Sequence, residues 1–144
     1  MASRNNILTS EPVWYLKCIP YYSYLNTRHW KRFRDGYITH LRETESVLTC
    51  SRCGISTIGV MQVRTQMEDG SEYIQTVAEE PVWNVHHLTY ERLGEEEFSD
   101  VTLLCVMCHN LEHHPESHAA KRWEGHLEHQ KWIDATVQRL EQGI

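Results

Sequence analysis

The sequence predicts a mixed α+β fold, and three observations lead to that prediction. Apolar residues recur with helical spacing early in the chain, two β-rich segments flank a turn near its middle, and a second helical pattern closes it. A chain of 144 residues can bury one modest core, so a single domain at 1–144 is expected. No apolar run is long enough to cross a membrane, and none near the N-terminus resembles a signal-peptide core.

The first helix is predicted to run from about Asn26 to Thr44. Asn26 or Thr27 can cap its start, because the side-chain oxygen accepts a hydrogen bond from an amide of the first turn. The preceding segment, 13–24, is interpreted as extended chain packed on the domain, with Cys18 as a small buried residue. The side of the helix that faces the core is predicted to consist of Trp30, Phe33, Tyr37 and Leu41.

An inserted β-hairpin is predicted at about 55–80. Two β-rich segments, Ile58–Gln66 and Tyr73–Ala78, flank a turn-forming stretch at 68–71 whose sequence is Glu-Asp-Gly-Ser. Between Cys53 and His86 the chain spends more residues than a short connection needs. We therefore interpret the hairpin as an insertion.

A long helix is predicted at the C-terminus, from roughly Glu116 to Gln142. Its apolar residues approximate one stripe, which can pack on the core or, alternatively, form the seam of a homodimer. The residues of this stripe are Trp123, Leu127, Ile133, Val137 and Leu140.

Four cysteines form two C-x-x-C pairs, Cys50 with Cys53 and Cys105 with Cys108. Each pair places two sulfurs on one tight turn, and two such turns close a tetrahedral shell of four thiolates around Zn²⁺. Two disulfides are the alternative. They would suit an exported protein and would leave Cys18 unpaired, whereas this chain shows no signal-peptide core. A structural zinc site is therefore predicted.

Four histidines accompany these thiols: His86, His87, His109 and His113. His109 and His113 stand four residues apart and would share one face at the start of a helix, so both imidazoles can reach one cation. Adjacent residues on a strand point in opposite directions, so His86 and His87 cannot easily bind the same ion. That pair is interpreted as one metal ligand and one base, which predicts a second, more open metal site.

These residues resemble the zinc-knuckle branch of the HNH endonucleases, whose ββα-metal fold puts a histidine base and metal ligands on a strand and a helix. The likeness covers most of the region 24–114. It implies that His87 is the general base. The family's asparagine, which braces the loop carrying the base, is replaced by Asp100, which can also accept hydrogen bonds. The implied ligands of a catalytic divalent ion are His86, His109 and His113.

The resemblance implies an HNH core at 26–114, an N-terminal extension at 1–25 and a C-terminal helix at 115–144. The implied activity is metal-dependent hydrolysis of DNA phosphodiester bonds in the cytoplasm. Imidazole ligands suit Zn²⁺, Ni²⁺ or Mn²⁺ at the catalytic site, whereas Mg²⁺ prefers oxygen. The alternative is a catalytically silent module, stabilised by zinc, that binds DNA or a protein partner.

Basic charge is concentrated early in the chain, although the formal net charge is −6. Residues 1–54 hold eight Lys+Arg against four Asp+Glu, whereas residues 55–144 hold six against sixteen. For a nucleic-acid partner this asymmetry matters more than the net charge. Four basic residues of the first helix are candidate phosphate contacts, with a solvated basic face as the alternative. They are Arg28, Lys31, Arg32 and Arg34.

Overall fold

A computed structural model describes residues 10–143; residues 1–9, which begin the predicted N-terminal extension, and residue 144 lie outside the described part. The described chain forms two compact units. The first contains the chain up to Leu48 together with Val85–Thr102, and the second contains Thr49–Asn84 together with the chain from Leu103 onwards. The single domain expected from the chain length stays a prediction.

Two short helices occupy the segment that was expected to be extended, so that prediction is wrong. Helix α1 spans Val13–Cys18 and helix α2 spans Tyr21–Tyr24. Pro12 precedes the first and Pro20 the second, with φ angles of −63° and −59°. Proline is favourable where a helix begins, because its φ is already helical and the amide it lacks would have no partner there.

Leu16 is the residue of α1 that enters the core of the first unit. Gly94 approaches it so closely that a Cβ at Gly94 would lie 3.1 Å from Leu16 Cβ, and the φ of Gly94 is +91°. Both conditions favour glycine at this position. Cys18 is exposed at the end of the helix, which corrects the prediction that it is buried.

The helix predicted at 26–44 is confirmed as α3, Arg28–Thr44. Thr27 caps it, because its Oγ1 accepts a hydrogen bond from the backbone N–H of Trp30 at 3.2 Å. The predicted apolar side faces inward. Its members are the buried Trp30 and Tyr37 and the half-buried Phe33 and Leu41.

The predicted hairpin is confirmed in the second unit. Strand β1, Gly59–Gln66, pairs antiparallel with strand β2, Glu72–Glu79, with Gln62 opposite Thr76. All residues of β1 and all but one of β2 are exposed. The hairpin therefore adds little apolar burial to its unit, and its cross-strand pairs and turn are its main support.

Strand β3, Trp83–His87, pairs with strand β4, Val101–Cys105, in a second two-stranded sheet. A single 3₁₀ turn, Phe98–Asp100, leads into β4, and helix α4, Val106–His113, follows it directly. Strand, strand and helix thus occur in the chain order that the resemblance implies. That they form the core of an HNH nuclease stays a prediction.

The long C-terminal helix is confirmed as α5, His118–Gln142. It begins later than predicted because Ser117 is its cap, with Oγ accepting from the backbone N–H of Ala120 at 3.1 Å. The predicted packing on the cysteine-bearing core is confirmed for Trp123 and Leu127, and the homodimer stays a prediction. No helix within residues 10–143 has both the length and the apolar character needed to span a membrane.

Candidate functional site

The four cysteines of the two C-x-x-C pairs come together in the second unit. Their sulfurs all lie within 4.8 Å of one another, and Cys53 Sγ is 3.8 Å from Cys105 Sγ. A tetrahedral zinc with Zn–S bonds of about 2.3 Å would hold its sulfurs about 3.8 Å apart. The group can therefore hold a metal ion such as zinc, as the spacing of the cysteines predicted.

Hydrogen bonds from N–H groups to sulfur support this group. The backbone N–H of Cys108 donates to Cys105 Sγ at 3.4 Å, and the indole N–H of Trp123 donates to Cys108 Sγ at 3.2 Å. Burial raises the pKa of the Cys53 thiol to about 11 and also raises that of Cys108. Burial likewise raises the pKa of the Cys50 thiol, but nearby backbone amides lower that pKa to about 7. Such donors stabilise the thiolate, which is the form that binds a metal.

A glycine closes the turn that carries the first pair. The backbone N–H of Gly54 donates to the carbonyl of Cys50 at 3.0 Å, and the N–H of Cys50 donates to the carbonyl of Ile55 at 2.9 Å. Gly54 has a φ of +77°, which a residue with a side chain rarely adopts. This turn returns the chain on itself, so that Cys53 lies beside Cys50.

A second donor group consists of three histidines. The ring nitrogens that His86, His109 and His113 offer as ligands lie within 4.8 Å of one another. His109 and His113 stand one turn apart on α4, with ring centroids separated by 4.5 Å. His86 and His109 are half-buried and His113 is exposed, so solvent reaches part of the group. These are the three residues that were predicted as ligands of a catalytic ion.

His87, the predicted base, is enclosed within the first unit. Its side chain has no exposed surface, and its ring stacks on Trp30 with centroids 4.4 Å apart. Tyr21 Oη lies 2.9 Å from Nδ1, and Glu96 Oε2 lies 3.2 Å from Nε2. Both ring nitrogens therefore have protein partners, whereas the prediction took the ring to act on water directly.

The charge on Glu96 decides which nitrogen of His87 carries the hydrogen. Burial raises the pKa of Glu96, but hydrogen bonds from His87, Tyr24 and His29 lower it to about 2. An ionised carboxylate only accepts, so we assign the hydrogen to Nε2 of His87 and the lone pair to Nδ1. Burial raises the pKa of Tyr21 to about 12, so at neutral pH its hydroxyl keeps its proton and donates to Nδ1.

Asp100, at the position of the family's asparagine, is buried and braces the loop that follows β3. Its carboxylate accepts from Arg92 Nε at 2.8 Å and from the backbone N–H of Glu97 at 2.9 Å. The hydrogen bonds from Arg92 and from Glu97 lower the pKa of Asp100 to about 2. Its carbonyl accepts from the N–H of Leu88 at 2.8 Å. Asp100 thus connects the loop to the end of β3, and Arg92 offsets its charge.

The four basic residues of α3 differ in their partners. Arg28 Nε lies 3.4 Å from a carboxylate oxygen of Glu11, and Arg34 Nε lies 3.4 Å from one of Asp35. Lys31 and Arg32 are exposed, and within residues 10–143 neither has an acidic side chain at ion-pair distance. These two residues are therefore exposed cations that are available to an external phosphate.

Glu96 and Tyr21 are site residues that the sequence did not reveal. Glu96 lies in a run of three glutamates at 95–97, a pattern typical of a solvated loop. Its side chain is 1% exposed, whereas that of Glu95 is 56% exposed. Tyr21 lay in the segment interpreted as extended, and the proline before it was the available signal for a helix.

Comparisons with known proteins identify no relative of this chain. No family model, no curated protein and no solved structure matches it. The likeness to the HNH endonucleases therefore rests on the motif residues alone, and a function has to be argued from the site itself.

Proposed function

We propose that this protein is a metal-dependent endonuclease that hydrolyses DNA phosphodiester bonds and carries a structural zinc on its four cysteines. The observation that carries the proposal is the second donor group, in which His86, His109 and His113 offer nitrogen ligands to one position. Three protein ligands leave coordination positions for water and substrate, which is typical of catalytic metal sites. A four-thiolate shell leaves none, so the two groups serve different purposes.

A divalent ion on the three histidines would supply positive charge to the scissile phosphate and to the departing 3′-oxygen. Regular elements carry all three ligands, because His86 belongs to β3 and the other two belong to α4. Ligands on such elements keep their positions better than ligands on loops. Only the neutral imidazole binds a cation, so we expect the ion to be released as the pH falls.

His87 is proposed as the general base, acting through Tyr21. The attacking water gives its proton to Tyr21 Oη, while Oη gives its own proton to Nδ1 of His87. Glu96 accepts a hydrogen bond from Nε2 and stabilises the imidazolium that results, as a buried carboxylate does for other catalytic histidines. This route suits an enclosed ring because Tyr21 is 37% exposed and can meet water where His87 cannot.

DNA is proposed as the substrate because α3 presents a basic face, with Arg28, Lys31, Arg32 and Arg34 as the phosphate contacts. The rival function is a zinc-stabilised module that binds DNA or a protein without cleaving it. That module would need the four cysteines but not the three histidines, so variants of the two groups distinguish the functions.

Cleavage of supercoiled plasmid tests the proposal, using protein stripped of exchangeable ions and then supplied with Mn²⁺, Mg²⁺, Ni²⁺ or Zn²⁺. The wild-type protein should nick the plasmid with at least one ion. His113→Ala should weaken divalent-ion binding and depress cleavage, with partial recovery at higher Mn²⁺. His114→Ala is the matched control, because His114 is the exposed C-cap of α4 and lies outside the donor group. Absence of cleavage with all four ions would favour the binding module.

The same assay addresses the base. His87→Ala should lower cleavage by roughly 10²–10⁴ while keeping the divalent-ion affinity. Tyr21→Phe removes only the hydroxyl and should lower cleavage by at least about tenfold. Tyr22→Phe is its control, since Tyr22 is the adjacent residue and is largely exposed. Equal cleavage by the two tyrosine variants would remove Tyr21 from the proton path, and full cleavage by His87→Ala would remove His87 from the mechanism.

A further inference from the structure

An open cavity of about 500 Å³ lies beside the start of α3, within the first unit. This volume falls in the range of about 300–1,000 Å³ that small-molecule sites occupy. Residues of α1 and α2, the first residue of α3, and the residues that precede or connect these helices line the cavity. They are Glu11, Pro12, Trp14, Tyr15, Ser23, Asn26, Thr27 and Arg28.

Two aromatic side chains form the apolar part of the lining. Trp14 is 69% exposed and Tyr15 is 41% exposed, and their rings meet edge to face with centroids 6.1 Å apart. Most of the surface of Trp14 is therefore accessible to a ligand. Aromatic faces of this kind stack on unpaired nucleobases, which contributes about 1–3 kcal/mol per base and depends little on which base is present.

Two polar side chains line the same cavity as these rings. Ser23 offers a hydroxyl, and Asn26 donates from Nδ2 to the carbonyl of Tyr22 at 3.2 Å, which leaves its Oδ1 as an acceptor. A nucleobase carries both donors and acceptors on its edge. The lining thus combines aromatic rings with polar groups that can form hydrogen bonds to the edge of a base.

The lining contains one carboxylate, that of Glu11, and nearby groups offset its negative charge. Glu11 accepts hydrogen bonds from the backbone N–H groups of Arg28 at 2.9 Å and of His29 at 3.0 Å, where it caps the start of α3. Burial raises the pKa of Glu11, but these amides and the Arg28 side chain lower it to about 2. The negative charge of Glu11 is therefore matched by the positive end of the helix.

Positive charge continues along α3 from the cavity. Lys31 and Arg32 follow Arg28 by three and four residues and so share its face of the helix. Asp35 follows Arg32 by three residues and so lies on the same face, but its carboxylate contacts Arg34, with Oδ1 3.4 Å from Nε. The start of α3 carries four cations, at 28, 31, 32 and 34, against the carboxylates of Glu11 and Asp35. This surface keeps a net positive charge, which favours a phosphate backbone over an acidic peptide.

We propose that this cavity binds an unstacked base of single-stranded nucleic acid, with Trp14 as the stacking residue and Lys31 and Arg32 on the adjoining phosphates. The inference rests on the proposed function in one respect, since it names an unpaired strand as the form of nucleic acid that the nuclease engages. It does not depend on the histidine group, because every residue involved lies in 11–32.

Binding of a fluorescent oligothymidylate and of a duplex of equal length tests the proposal, with full-length zinc-loaded protein and no added divalent ion. Trp14→Ala should weaken oligothymidylate binding by about tenfold, which corresponds to about 1.4 kcal/mol of lost stacking, and should leave duplex binding nearly unchanged. Trp132→Ala is the matched control, because Trp132 is a similarly exposed indole on α5 at 61%. It should bind both ligands like the wild-type protein, and both variants should keep the wild-type melting temperature.

Equal oligothymidylate affinity of the Trp14→Ala and Trp132→Ala proteins would overturn the proposal, as would failure of the wild-type protein to bind any single strand. Binding of a proline-rich peptide that depends on Trp14, without binding of single strands, would overturn it in favour of a peptide site. Repeating the titration with His113→Ala separates the two proposals. Oligothymidylate binding that survives in this variant would show that the base site is independent of the histidine group. If the wild-type protein binds oligothymidylate but cleaves plasmid with none of the four ions, the base site is retained and the nuclease is rejected.

Discussion

Replacement of Glu96 by glutamine is the perturbation whose size follows most directly from the structure. The Glu96 side chain is 1% exposed, and both of its oxygens lie within hydrogen-bond distance of a histidine, Oε1 of His29 and Oε2 of His87. Tyr24 donates to it as well, and so does the backbone N–H of Gly94 at 2.6 Å. Glutamine keeps the shape of the side chain but removes the charge that these donors face.

The pKa of Glu96 gives the magnitude of the effect. Burial raises it, but the hydrogen bonds from His87, Tyr24 and His29 lower it from 4.5 to about 2. At about 1.36 kcal/mol for each tenfold change in proton affinity, this corresponds to about 3 kcal/mol of stability contributed by the charged form. Because the folded-state pKa lies below the unfolded-state value, this contribution is complete above pH 4.5 and is lost as the pH falls toward 2.

Urea unfolding of zinc-loaded protein at pH 7 measures this contribution. Glu96→Gln should lower the free energy of unfolding by about 3 kcal/mol, because Glu96 is ionised in the folded wild-type protein at this pH. Both proteins are compared with zinc bound, so the metal contributes equally to each. Glu95→Gln is the control: Glu95 is the exposed neighbour that pairs with Lys17, and its replacement should cost less than about 1 kcal/mol. Equal losses of unfolding free energy in Glu96→Gln and Glu95→Gln would show that the buried hydrogen bonds of Glu96 do not stabilise the protein.

Two further predictions concern the second unit. Cys108→Ser should unfold the protein rather than only reduce its activity, because structural zinc in small domains contributes apparent binding energy on the order of 10–16 kcal/mol. Elemental analysis of the wild-type protein should find about one tightly held zinc on the four cysteines. A folded Cys108→Ser protein with full zinc content would contradict this assignment. Ala120→Leu should lower the free energy of unfolding by about 1–3 kcal/mol, because Ala120 is fully buried at the start of α5. The exposed neighbour Ala119 provides the control, and Ala119→Leu should change the stability by less than about 0.5 kcal/mol.

The sequence by itself determined the features that depend on neighbours along the chain. The spacing of Cys50 and Cys53, and of Cys105 and Cys108, predicted a four-sulfur group, because a C-x-x-C turn presents two thiols whatever lies around it. Thr27 predicted the start of α3, since a cap acts within one turn. The spacing of His109 and His113 predicted a shared helix face for the same reason. The β-rich segments on either side of 68–71 likewise predicted the hairpin.

The tertiary structure alone decided which polar side chains are buried. Glu95 and Glu96 are adjacent and chemically identical, yet only Glu96 lies among Tyr24, His29 and His87. The same holds for His87, whose ring is enclosed by Trp30 and Tyr21 although its motif suggested an open base. Each of these partners lies more than five residues away in the chain. A charged side chain is buried only where residues distant in the chain are brought together around it by folding. No local sequence pattern specifies those contacts.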